Sequence, residues 1–146
     1  MASLKVLPPC LTSLHMATYF LVPASHDLIN ALPRLLVRLT FRSLYNFDEN
    51  HFPLLPPELR FLNVNHAYDI SDQGLLKLPN AIQYVFFKGN RSLTPKCFKF
   101  FPPSLIFLQI PKNPNFPRAL IRSSDLKLLA DVAVRTKRLK FWQVPK

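Results

Sequence analysis

Glycine is nearly missing from this chain, which has only Gly74 and Gly89 among 146 residues. A phosphate-cradling loop needs two or three closely spaced glycines, so no Walker-type or dinucleotide loop is present. Cysteine is as sparse. Cys10 and Cys97 are far apart and belong to no CxxC pair, which excludes a thiolate metal ribbon. Two isolated thiols suit a reducing compartment, where each acts as a small apolar residue. No apolar run approaches the roughly 18 residues of a membrane-spanning helix. The histidines, His15, His26, His51 and His66, show no HxxxH or HExxH spacing. Asp48-Glu49, Asp69 and Asp72 fall between apolar segments, where caps and turn residues belong, rather than in acid–base pairs. The expectation is therefore no enzyme, no metal and no cofactor.

Acidic side chains are scarce too, with 8 against 19 basic ones and a formal charge of +11. The imbalance is uneven along the chain. Residues 1–73 carry five basic and six acidic side chains, whereas residues 74–146 carry fourteen basic ones and only Asp125 and Asp131. The expected partner is another protein with an acidic surface. RNA or another polyanion is the alternative. The basic patch expected to serve it is Lys88, Arg91, Arg135, Lys137, Arg138 and Lys140.

Proline is abundant, with 15 residues, and falls at regular places. Leu55-Pro-Pro-Glu-Leu-Arg-Phe-Leu-Asn-Val64 recurs at Leu7–Met16, Leu32–Phe41, Leu78–Phe87 and Phe101–Ile110. The five copies start 25, 23, 23 and 23 residues apart, and half a copy returns at Leu139–Val144. A fixed period of this length predicts a solenoid. In each unit the last apolar pair, such as Leu62 and Val64, alternates with polar neighbours as in a short strand. Strands joined by long returns must run parallel. Pro8, Pro33, Pro56, Pro79 and Pro102 precede the strands. With no N–H to donate, each belongs at an entry corner.

The returns repeat as well. Phe47, Ile70, Leu93 and Phe116 form one apolar series, and Phe52, Leu75, Phe98 and Ile121 another. Both are expected to close the core from behind the sheet. A helix is expected near Ser123–Val134, with Ser124 or Asp125 as N-cap, followed by a last strand. The expected organisation is one domain over 1–146. Its repeats lie near 7–31, 32–54, 55–77, 78–100 and 101–134, with a capping helix and strand about 123–146. Lys5 and the apolar stretch to Ala24 could pass for a weak leader, but Leu7, Pro8, Leu11, Leu14 and Met16 match the repeat position for position. An intracellular location, cytoplasm or nucleus, is expected. The first repeat has no cap before it, so its open end is expected to be covered by a partner or by self-association.

These letters resemble the leucine-rich repeat family. Leu59, Leu62 and Val64 match its LxxLxV strand, and Asp69-Ile-Ser-Asp-Gln-Gly-Leu75 is similar to the cysteine-containing subclass of F-box proteins. The Leu-Pro-Pro-x-Leu entry is similar to repeats of fungal, slime-mould and giant-virus proteins. The resemblance implies an α/β leucine-rich-repeat solenoid of about six rungs, counting the half copy. Its parallel sheet would form the concave face, and short helical or irregular segments the convex one. It further implies a protein-interaction module, with substrate recognition for a ubiquitin ligase as one such role. The chain departs from the family at the residue three past each strand. Asn90 and Asn113 occupy it in two units, but Tyr19, Leu44 and Ala67 occupy it elsewhere, so no continuous asparagine ladder is expected.

In this family the residues between strand leucines face the concave surface. Carried over, these positions are Arg38, Arg60, Phe61, Asn63, Tyr84, Phe86, Phe107, Gln109 and Phe141. An exposed aromatic stripe rimmed by Arg and Gln is the expected partner-binding face. The competing expectation is an aromatic ladder that stabilises its own sheet.

Overall fold

The computed structural model describes residues 7–17, 22–42, 44–109 and 140–141. The protein is α/β, with a parallel sheet and few helices. Six strands form the main sheet: β1 (Ser13–Met16), β3 (Arg38–Phe41), β5 (Phe61–Asn65), β6 (Tyr84–Lys88), β7 (Phe107–Gln109) and β8 (Lys140–Phe141), adjacent in that order. A short second sheet pairs β2 (Val22–Pro23) with β4 (Leu44–Tyr45). The described returns contain one α-helix, α1 (His26–Asn30), and 3-10 helices at Glu49–Leu54, Gln73–Lys77 and Pro95–Lys99.

The pairing follows the sequence period. Ser13 lies opposite Arg38, Arg38 opposite Phe61, Phe61 opposite Tyr84 and Tyr84 opposite Phe107. The last pairing departs from it. Phe107 lies opposite Lys140, and Leu108 opposite Phe141. Aligning the repeat had set Phe141 opposite Phe107, so β8 is displaced by one residue. A one-residue slip moves a strand position to the other face of the sheet. Phe141 therefore leaves the expected aromatic row, and Lys140 takes its place in the register. The helix expected near Ser123–Val134 lies outside the described residues.

Strands β1, β3, β5, β6 and β7 are entered through the same turn. The N–H of Leu36 donates to the Pro33 carbonyl, Leu59 to Pro56, Ile82 to Pro79 and Leu105 to Pro102, at 3.0–3.2 Å. Proline supplies the carbonyl and a fixed φ, and its missing N–H leaves no ladder bond unmade. One face of the sheet forms the core. Leu39, Phe41, Leu62, Val64, Val85 and Phe87 are buried there, with Leu36, Leu59, Ile82 and Leu105 beneath them. From the returns come Phe47, Ile70 and Leu93, then Phe52 and Leu75. Phe47 and Phe52 pack at 5.8 Å between ring centroids, and Phe52 stacks on Phe87 at 5.9 Å, which ties returns to strands. Burying one such side chain contributes about 1.5–3 kcal/mol.

The N-terminal end is looser. Leu11, Leu14 and Met16 are only half-buried, while their counterparts in the next three units, such as Leu36, Leu39 and Phe41, are almost fully buried. Among the described residues β1 has β3 as its one strand neighbour.

Candidate interaction face

The face of the sheet opposite the core carries every second strand residue. The pattern is clearest in β5, where Leu62 and Val64 are buried and Phe61, Asn63 and Asn65 are half-buried. In β6 Val85 and Phe87 are buried while Tyr84 and Lys88 are exposed and Phe86 is half-buried. The regular pairing then sets like positions side by side, row on row.

One row becomes a cluster. The Arg38 guanidinium carbon lies 4.5 Å from the centroid of the Phe61 ring. Phe61 also meets Phe86 at 5.3 Å and Tyr84 at 6.4 Å, with ring planes tilted by 41° and 36°. Tilted pairs at these distances avoid face-to-face repulsion of the ring electrons, and each contributes about 0.5–1.5 kcal/mol. The cation over the Phe61 ring adds about 0.5–1 kcal/mol at an exposed site. Tyr84 stays 38% exposed, so the cluster is incompletely covered by its own members. The rings support one another, and Tyr84 still presents apolar surface.

The other expected face residues fall around this cluster. Asn63 lies opposite Thr40 and Phe86, and Arg60 is exposed immediately before Phe61. Phe107 and Gln109 lie opposite Tyr84 and Phe86 by backbone register. Of the basic patch, Lys88 closes β6 and is exposed, and Arg91 is exposed in the loop beyond it. Lys140 lies in β8, whereas Arg135, Lys137 and Arg138 lie outside the described residues.

The described strands of this face carry no carboxylate. Among the described residues the single ion pair is His51 with Asp48, on a return. Arg38, Arg42, Arg60 and Lys88 are exposed and form no ion pair with a described residue. No family model matches the sequence, and no curated protein shows significant similarity to it.

Asp48, Glu49 and Asp72 serve the returns. Ser25, Asp48, Ser71 and Thr94, spaced 23 residues apart, each accept a backbone N–H at the start of a helical turn. Glu49 accepts both the N–H and the O–H of Ser71, and Asp72 accepts the same pair from Thr94. Each acid thus fastens the cap of the next unit. The sequence reading of these acids as caps or turn residues had the right kind of role but missed the link. The 23-residue recurrence of Ser, Asp, Ser and Thr was the available signal.

Asn90 is fully buried and acts similarly. Its amide N–H2 donates to the carbonyls of Ala67 and Ile70 in the previous unit, and its Oδ1 accepts the Leu93 N–H. At the equivalent places Leu44 and Ala67 are simply buried.

His26 and His51, which the sequence leaves in separate units, stack at 5.1 Å. His51 also stacks on Phe47 at 5.3 Å, with its Nδ1 2.9 Å from Asp48 Oδ1. This arrangement closes a return. No group of three His, Cys, Asp or Glu among the described residues is placed to hold a metal. Cys10 is exposed and Cys97 buried, and both are free thiols. No helix among the described residues is long and apolar enough to cross a membrane.

Proposed function

We propose that the protein is a leucine-rich-repeat solenoid of about six rungs that works as a non-enzymatic interaction module, holding a partner protein on the concave, core-distal face of its sheet. The observation that carries this reading is the Arg38–Phe61–Phe86–Tyr84 cluster, which offers rings and cations on a face whose described strands contain no carboxylate. Aromatic and arginine side chains dominate the energetics of protein interfaces, and the surrounding polar residues exclude water from them. Substrate recognition for a ubiquitin ligase is one role of this type. It rests on resemblance alone, because one fold hosts many functions. An intracellular setting agrees with two free thiols.

The test is capture of partner proteins by the wild type and by the triple variant Phe61→Ala, Tyr84→Ala, Phe86→Ala, with thermal melts to show that both are folded. Loss of the captured proteins from the folded triple variant is the expected result. If every captured protein is retained, this face is not the interface.

The alternative reading is a module for RNA or another polyanion. It is supported by the charge gradient along the chain and by Lys140 standing opposite Phe107. A salt titration separates the two, since phosphate contacts weaken steeply with salt.

A further inference from the structure

The cations of this face are not scattered. Arg38 opens β3, and Arg42 and Lys88 stand where β3 and β6 end, all on the alternation that carries the face; Arg60 is exposed just before β5. Phe61, Asn63 and Phe86 lie between these two rims. Arg38 and Arg42 are four positions apart, as are Tyr84 and Lys88, so the rims are about 13 Å apart at strand rise. An extended peptide has the same rise, and its alternate side chains point the same way. Its residues at −2, 0 and +2 would therefore face the sheet together and span that same length.

Resting on the interaction-module reading, we infer that the face receives an extended peptide segment of pattern acid–x–apolar–x–acid, lying along the strand direction. The central side chain packs on Phe61 and Phe86. One carboxylate meets Arg38 and the other the Arg42–Lys88 rim. Charge complementarity carries the argument. None of Arg38, Arg42 and Lys88 forms an ion pair with a described residue, and no carboxylate on the described strands competes for them. Arg38 is also held in place by the Phe61 ring, so less of its freedom is lost when it binds. Nucleic acid fits less well. Base stacking needs open ring faces, but Phe61 carries Arg38 on one side and its neighbours are tilted against it.

The experiment is fluorescence anisotropy of the full chain with labelled nine-residue peptides. The reference probe has Phe or Leu at the centre, Glu at −2 and +2, and Gly or Ser elsewhere. Saturable binding is expected, weakened at least tenfold when both Glu become Gln, and as much when they move to −1 and +1. Arg38→Gln and Lys88→Gln should each weaken the Glu probe several-fold and leave the Gln probe unchanged. Equal binding of the Glu, Gln and shifted probes, or no binding of any, overturns the inference. Preference for a labelled uridine oligonucleotide over every peptide also overturns it. The broader reading fails separately, when peptide binding survives in the folded Phe61→Ala, Tyr84→Ala, Phe86→Ala variant. Peptide binding that needs those rings but ignores the carboxylates leaves the module reading standing and removes only the acidic pattern.

Discussion

The Glu49 carboxylate takes two hydrogen bonds from Ser71, one from its N–H at 2.9 Å and one from its O–H at 2.6 Å, across 22 residues of sequence. Ser71 Oγ in turn accepts the N–H of Gly74. A carboxylate, a hydroxyl and a helical turn are thus linked between successive returns. Hydrogen bonds to a charged group contribute about 1.5–3 kcal/mol each. Half-burial and shared solvent reduce that here, so Glu49→Gln is expected to cost about 1–2 kcal/mol in chemical denaturation. Ser71→Ala should cost a similar amount, and the double variant less than the sum. Additive losses would show that the pair is uncoupled.

Gly74 is where the Glu49 side chain passes. A Cβ on Gly74 would run into the Glu49 carboxylate and lie 2.6 Å from Glu49 Cβ. Gly74→Ala is therefore expected to destabilise by about 1–3 kcal/mol through overpacking. In a Glu49→Ala background the cost should fall only in part, because the carboxylate is gone but the Cβ at position 49, 2.6 Å away, remains. Gly89 behaves differently. Its φ of +85° is in the left-handed region, and a Cβ would also lie 2.9 Å from the Tyr68 ring. Tyr68→Ala should relieve the contact but leave the backbone strain of Gly89→Ala, so rescue there is expected to be partial.

Asn90 satisfies two carbonyls and one N–H inside the core. Asn90→Ala leaves all three without that partner and is expected to cost about 2–3 kcal/mol. Ala67→Asn is no substitute, since its site is apolar and fully buried. It should destabilise by a comparable amount. Urea midpoints of the two variants check both statements.

Burial pushes the Cys97 thiol well above its ordinary range, and the nearby Asp72 carboxylate pushes the same way. A thiol raised in the folded state keeps its proton there while the unfolded chain loses its own. Stability from this group is therefore complete below the unfolded value of about 8.5 and falls as pH rises above it. Cys97→Ala should flatten that alkaline slope. In thiol titration of the native chain, Cys10 is expected to react at once and Cys97 only on unfolding.

Arg38 and Phe61 form the contact that orients the open face, with the guanidinium carbon 4.5 Å from the ring centroid. A double-variant cycle with Arg38→Gln and Phe61→Leu is expected to return a coupling of about 0.5 kcal/mol, weakly dependent on salt. A coupling near zero would show that the ring does not hold Arg38.

The period of the sequence determined a great deal. Leu36, Leu59, Ile82 and Leu105 could be identified as core residues because they recur with it, and all are fully buried. The prolines mark entry turns because a residue without an N–H suits one place in a parallel ladder. The aromatic row from Phe61 to Tyr84 and Phe107 was legible for the same reason, as a fixed register places like positions side by side.

Only the tertiary structure decided which neighbours meet. The period says that Arg38, Phe61, Tyr84 and Phe86 share a face, but the stagger and tilt between strands bring the guanidinium onto one ring and tilt the others against it. It also decided that Glu49 would reach Ser71, that His26 would stack on His51, and that β8 would pair one residue away from the repeat. The physical reason is one of range. Core leucines answer to local spacing and burial, which recur in every unit. Cross-unit side-chain pairs depend on the offset between two units, and a repeat read along one chain does not contain that offset.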